Sequence, residues 1–226
     1  MSEEPRTAPM SVEIWSDVVC PWCYIGKRRF EAALAAFPHR DDVAVTWRSF
    51  ELDPHAPRVR SESPAEALAA KYGMSVEEAR AAHASITEVA AREGLEYRLD
   101  RARRGNTFDA HRIIHLAAAH GRQGEAQERL MRAYFTDGEE IGQPATLVRL
   151  AAEVGLDPRE AGDVLAGNGC ADAVRDDVRL AVRMGIRAVP YFVLDRRYGV
   201  SGAQPPEQLL AALHRGWDAR AGSAAA

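Results

Sequence analysis

Two of the chain's three cysteines, Cys20 and Cys23, stand two residues apart in the stretch D-V-V-C-P-W-C-Y over 17–24. Three roles are open to such a pair: thiol–disulfide exchange, half of a metal site, or inert packing in a core. A tetrahedral structural zinc site wants four ligands. Cys170 is the one other cysteine and no second C-x-x-C exists. His111 and His115 lie four apart on an expected helix, but H-R-I-I-H lacks the glutamate of a metalloprotease H-E-x-x-H. No metal is therefore expected. Exchange chemistry needs one thiol readily ionised and a second within reach, and a C-x-x-C at the start of a helix supplies both. Backbone N–H groups and the helix dipole favour an anion at the outer sulfur. The inner thiol, one turn on, is placed to attack the mixed disulfide formed there. Cys20 is thus the expected attacking thiol and Cys23 the resolving one. Asp17 is the nearest acid in sequence, with nothing further to give it a role.

The surrounding pattern puts the pair at a strand-to-helix junction. Val12–Val18 alternates loosely as a strand. Tyr24, Lys27, Phe30, Leu34 and Phe37 then recur at helical spacing up to Pro38. Pro21 suits the first helical turn, where a missing N–H costs nothing. Val43–Leu52 reads as a second strand, in parallel with the first through that helix. From Pro64 to Met184 the pattern is helical almost throughout. Ser75 and Glu78 form a capping box, and another helix over Asn106–His120 is capped by Asn106 or Thr107. Residues 189–195 and 198–201 read as a hairpin turning at Arg196-Arg197, and Pro205-Pro206 opens a last helix bearing Leu209, Leu210, Leu213 and Trp217.

The expected fold is α/β: β-α-β, then β-β-α, forming one mixed central sheet split in sequence by a large all-helical insertion. The expected division is 11–63 with 185–220 as one discontinuous α/β domain, 64–184 as the helical insertion, and 1–10 and 221–226 as flexible termini. With 226 residues, 46% hydrophobic and 27% charged, the chain can bury a proper core. A net charge of −4 gives no reason to expect nucleic acid, and R-A-R-R at 101–104 reads as a solvated loop. No apolar run approaches a bilayer span, and M-S-E-E-P-R-T-A-P-M does not read as a secretory signal. The expectation is a cytoplasmic protein, without membrane partners, that is a monomer or homodimer. There thiols are held reduced, and a C-x-x-C is catalytic or metal-binding more often than structural.

Taken together, W-S-D-V-V-C-P-W-C-Y-I-G-K, F-E-L-D-P at 50–54, N-T-F-D-A-H-R at 106–112, and G-I-R-A-V-P-Y-F-V through G-V-S-G-A-Q at 185–204 resemble the DsbA-like branch of the thioredoxin superfamily. The closer resemblance is to its FrnE-like subfamily, related to 2-hydroxychromene-2-carboxylate isomerases and kappa-class glutathione transferases. The resemblance implies a thioredoxin-like fold, with 11–63 and 185–220 as its discontinuous thioredoxin-like domain, and a protein disulfide oxidoreductase with a redox-active Cys20–Cys23 disulfide and no other cofactor. Its partners would be disulfide or dithiol proteins or small thiols, with glutathione as a possible co-substrate. It makes Pro190 a cis-proline whose loop faces the disulfide and leaves the Val189 backbone free to pair with substrate. Pro21, Trp22, Asn106 and His111 would join them in contacting substrate. Read without the resemblance, Pro190 is a strand-opening proline, Asn106 an N-cap and His111 a helix-face histidine. Phe50 and Leu52 read as core, Asp53-Pro54 as a turn, and Cys170 as a partly buried small residue or else a peripheral thiol open to glutathionylation. The isomerase and transferase relatives carry serine where Cys20 stands, which favours electron transfer here. The rival functions are a glutathione-dependent isomerase or transferase on a small aromatic or polyketide-like molecule, and a redox-regulated chaperone or binding protein.

Overall fold

The structure, a computed structural model, describes residues 8–224; of the termini expected to be flexible, 1–10 and 221–226, residues 1–7 and 225–226 lie outside the described residues. Strand β1 (Met10–Ser16) leads through Asp17–Val19 into helix α1 (Pro21–Ala36), and a 3-10 turn (Arg40–Asp42) precedes β2 (Val43–Ser49). Seven helices follow: α2 (Pro64–Tyr72), α3 (Val76–Arg92), α4 (Phe108–Ala119), α5 (Gln123–Arg132), α6 (Pro144–Glu153), α7 (Pro158–Ala166) and α8 (Ala171–Arg183). The chain returns as β3 (Tyr191–Leu194), β4 (Tyr198–Ser201) and α9 (Pro206–Ala224). The four strands form one sheet in the order β2-β1-β3-β4, with β1 and β2 parallel and the other pairs antiparallel. The two β-rich ends of the chain thus build one mixed sheet around the helical segment, and the fold is thioredoxin-like.

Element boundaries differ from the sequence reading at four places. The first strand starts at Met10, which is buried against α9, and stops at Ser16 rather than Val18. The second ends at Ser49 rather than Leu52. Phe50 N–H still reaches Ser16 O, but the Asp17 carboxylate then takes the Leu52 N–H at 2.8 Å and pulls the chain off the ladder. Helix α4 begins at Phe108 because Asn106 Oδ1 accepts the Phe108 N–H in an Asx turn just ahead of it. Both Ser63–Glu66 and Ser75–Glu78 close as reciprocal capping boxes. The hairpin turns through Asp195 and Arg196, whose φ angles are 46° and 54°, one residue earlier than the sequence suggested.

One face of the sheet packs Val12, Ile14, Phe192 and Leu194 against Phe30 of α1, Phe37 just beyond its end, and Leu209 and Leu213 of α9. On the other, Trp15 and Val193 meet Ala181 of α8 and Ile186. The first turn of α1 belongs to neither layer. Cys20, Cys23, Tyr24 and Ile25 are continuous with the core of the helical segment, including Tyr97, Ile113, Leu130 and Phe135. Tyr97 stacks on both Tyr24 and Phe135, which are tilted against each other, and the Tyr97 hydroxyl donates to Pro21 O at 2.7 Å.

An ion cluster fastens the same helix from its outer side. Glu128 of α5 accepts from the Tyr24 hydroxyl and the Lys27 ammonium, both at 2.6 Å, and from the Arg28 guanidinium. Burial alone would raise the Glu128 carboxyl, but hydrogen bonds from Arg28, Lys27 and Tyr24 more than offset it and hold it at about 2. In the unfolded chain the group titrates near ~4.3, so its contribution is complete above that pH and is lost as pH falls toward 2. Glu128→Gln should therefore cost about 2 kcal/mol at pH 7. Thermal melts of wild type and variant should converge as pH drops between those two values; a gap that persists at pH 2 would contradict this account.

Candidate active site

The strand-to-helix junction puts Cys20 at the N-cap of α1, with extended backbone (φ −85°, ψ 114°) and Pro21 as the first helical residue. Its N–H bonds to Asp17 O at 3.0 Å, and its carbonyl receives the Cys23 N–H at 3.0 Å, so the loop is closed before the helix begins. Both cysteines are free thiols, and Cys20 Sγ donates to Val189 O at 3.6 Å. The Val189–Pro190 peptide bond is cis. The proline ring rests on Gly26 of α1, where an added Cβ would lie 2.8 Å from Pro190 Cγ. Glycine is thus needed at 26 for helix and proline loop to approach this closely.

The two sulfurs have different surroundings. Cys20 opens on a cleft of about 920 Å³, whereas Cys23 is wholly buried. Burial, with Cys20 beside it, pushes the Cys23 thiol well above its ordinary range, while the Asp17 backbone and the Ser16 side chain pull the other way. The cleft wall combines apolar side chains, among them Leu68, Ile86 and Val89, with the cations Arg60, Lys71, Arg104 and Arg187. Tyr134 also lines it, its phenol pushed up to about 12 by burial.

The expected substrate residues divide. Pro21, Trp22 (45% exposed) and Val189 line the cleft, and Pro190 stands behind Val189 against Gly26. Asn106 and His111 do not line it. Asn106 holds the 54–57 loop, its backbone N–H on Pro57 O and its side chain on Pro54 O. His111 is buried behind Asp17, with Nε2 3.0 Å from Phe50 O and 3.5 Å from Asp17 Oδ1. Leu52, read from sequence as core, is 40% exposed on the cleft wall, while Phe50 packs beside Trp15 as expected. The R-A-R-R loop is not wholly solvated, because Arg104 reaches the cleft and pairs with Glu62. Cys170 caps α8 in the left-handed region (φ 59°), half-buried, with its thiol raised by burial.

Asp17 is the residue the sequence reading passed over. It is fully buried and lines the floor of the cleft, and its Oδ1 is the one buried side-chain oxygen or nitrogen without a hydrogen-bond partner among the described residues. Its place three residues before Cys20 was the available signal. His115, weighed as a zinc ligand, turns instead to Asp177 Oδ2 at 3.0 Å and Ser49 Oγ at 3.1 Å. Both contacts use the same ring nitrogen, Nε2, so the trio cannot relay a proton as a hydrolase triad does.

The model of the DSBA-like thioredoxin domain matches residues 11–214. The chain belongs to this family. It is similar to the crystal structure of a probable DsbA oxidoreductase from Streptomyces coelicolor, with 49% identity, a TM-score of 0.89 and coverage of 92% of this chain and 90% of that one. Two more distant structures share the fold. Cytosolic disulfide reductase DsbM from Pseudomonas aeruginosa, solved with GSH, is 20% identical (TM-score 0.64, covering 92% and 99%). A 2-hydroxychromene-2-carboxylate isomerase is 13% identical (TM-score 0.68, covering 94% and 98%). The family makes the chain a thiol oxidoreductase of the DsbA-like kind.

The contact of Pro190 on Gly26 sets where Val189 O meets Cys20. Gly26→Ala should push the proline loop outward, at a cost of about 1–3 kcal/mol, and reduce disulfide-exchange activity while Cys20 and Cys23 stay intact. Melting temperature and insulin-reduction rate measured on the same preparation check this; an unchanged rate with an unchanged melt would refute it.

Proposed function

We propose that the protein exchanges electrons with disulfides through its C-P-W-C motif, Cys20 attacking and Cys23 resolving. The observation that carries the reading is the asymmetry of the pair: Cys20 faces the cleft and Val189 O, while Cys23 is sealed beneath it. In the reductive direction the Cys20 thiolate attacks a substrate disulfide R–S–S–R′, forming Cys20–S–S–R and expelling R′–S⁻. Cys23 then loses its proton and attacks the Cys20 sulfur, which forms the Cys20–Cys23 disulfide and releases R–S⁻. Two electrons pass to the substrate, and the two thiols of the protein are oxidised. Asp17, its free carboxylate oxygen buried on the cleft floor, is the base we assign to the Cys23 proton. The exposed Trp22 ring and the Val189 backbone form the strip on which an extended substrate segment pairs.

The reading extends to an FrnE-like reductase or isomerase working where thiols are kept reduced, as in the cytoplasm. Its supports are the family and a fold shared with a cytosolic disulfide reductase. Glutathione is the small-thiol co-substrate we propose, and the cations Lys71 and Arg187 on the cleft wall favour its carboxylates. The same cleft supports the second reading, glutathione-dependent isomerisation of a small anionic molecule, whose fold relative is the isomerase.

Cys20→Ser and Cys23→Ala separate these readings. Disulfide exchange predicts that Cys20→Ser abolishes insulin reduction. It also predicts that Cys23→Ala accumulates a mixed disulfide at Cys20, visible by mass spectrometry on non-reduced protein. A small-molecule isomerisation that survives Cys20→Ser, with no mixed disulfide formed by Cys23→Ala, would replace the first reading with the second.

A further inference from the structure

The link between α3 and α4 carries Tyr97, and both of its chain neighbours are tied to the π-helical turn (Ala133–Asp137) that follows α5. The Arg98 N–H donates to Phe135 O at 2.7 Å, and the Thr136 hydroxyl donates to Glu96 O at 2.7 Å. Tyr97 between them is buried, its ring stacked on both Tyr24 and Phe135. So clamped, its hydroxyl meets the carbonyl of Pro21 at 2.7 Å. Burial pushes the phenol up, so it keeps its proton and donates.

Pro21 O belongs to the peptide unit whose N–H is that of Trp22, in the first turn of α1. The other N–H groups of that turn are committed. Pro21 has none, and those of Cys23 and Tyr24 reach Cys20 O at 3.0 and 3.4 Å. The Trp22 N–H has no partner among the described residues. Cys20 is the N-cap, and the second N–H of a helix is one that an N-cap side chain reaches. As a thiol, Cys20 donates instead to Val189 O at 3.6 Å, and no cap bond forms. A thiolate has no hydrogen to give that carbonyl, which leaves the Trp22 N–H as its donor.

We infer that Tyr97 is a positioning residue for charge on Cys20: its hydroxyl holds and polarises the Pro21–Trp22 peptide, whose N–H serves the thiolate. The inference rests on Cys20 being the attacking thiol. A hydrogen bond on the carbonyl of a peptide unit strengthens the donor at its other end. Tyr97 does no bond chemistry and keeps its own proton. The Cys20 proton goes to solvent, its sulfur bonds to one sulfur of the substrate disulfide, and the other sulfur leaves as a thiolate. The Tyr97 bond therefore counts for more with Cys20 as an anion than in the Cys20–Cys23 disulfide. That difference between the two states is what moves the redox equilibrium.

The test equilibrates full-length wild type and Tyr97→Phe with the same series of reduced-to-oxidised dithiothreitol ratios at about pH 9, above the ordinary value of a free cysteine. Acid-quenched alkylation and mass spectrometry then count the thiols at Cys20 and Cys23. Phenylalanine keeps the stack on Tyr24 and Phe135, so the variant removes the hydroxyl alone. It should shift the couple toward the disulfide by about twofold or more. Tyr24→Phe removes a hydroxyl from the same stack, but one that donates to Glu128. It should lower the melting temperature and leave the couple where it stands in the wild type. An unshifted couple in Tyr97→Phe would overturn the inference, and so would an equal shift in Tyr24→Phe. A wild-type protein with no transition at Cys20 and Cys23 would instead overturn the reading beneath it.

Discussion

The rest of the structure depends on the burial of one helical turn. The start of α1 must present a reactive thiol to the cleft, yet its next turn must be dry enough to hold Cys23 un-ionised until needed. A helix end leaves backbone donors unsatisfied, and a sealed thiol raises the cost of charge, so the surroundings must answer both demands locally. Three parts of the chain converge to do so. The sheet contributes the Ser16–Val19 connection, the proline loop contributes the Val189 carbonyl, and the helical segment contributes the Tyr97 and Phe135 rings, with the Tyr97 hydroxyl on Pro21 O. Cys20 is left open to the cleft, and Cys23 is closed off.

That arrangement explains why the helical segment is more than a lid. Its α5 carries Glu128, which gathers Tyr24, Lys27 and Arg28 of α1, and Gln127, which reaches the hydroxyl at the end of β1. The same segment supplies Tyr134, Ile86 and Val89 to the wall of the cleft. A displacement of α5 would be felt simultaneously by the helix holding the thiols and by the strand behind them. Function and fold therefore share one interface, and stability there serves reactivity.

Much of this was legible because it is local. C-P-W-C after an alternating run, the Ser75–Glu78 box and the final hairpin each follow from residues within a few positions of one another, and the split sheet follows from their order. The cis state of Pro190 was legible through resemblance, since the residues around V-P alone favour an ordinary strand opening. What sequence reading missed is long-range. Asp17 sits three residues from Cys20, but its environment is made by Leu52 and His111, 35 and 94 positions away, which meet it only after β2 leaves the sheet. The resemblance makes His111 a cleft residue, yet its ring is spent on Phe50 O behind Asp17. Leu52 reads as core because it ends an apolar alternation, and it is the Asp17 carboxylate that breaks the alternation and leaves Leu52 on the cleft wall. In each case a side chain from one element decides the backbone of another, which no local pattern encodes.

The central claim is that Cys20 and Cys23 form one reversible two-electron couple. Equilibrating the wild-type protein across a series of dithiothreitol ratios, trapping free thiols by acid-quenched alkylation and mapping them by mass spectrometry tests this directly. The account predicts that Cys20 and Cys23 lose their labels together along a single transition with a slope for two electrons, that a peptide pair linked through them appears in step, and that Cys170 stays labelled throughout. Independent titration of the two thiols, or a disulfide that pairs either with Cys170 instead, would contradict it.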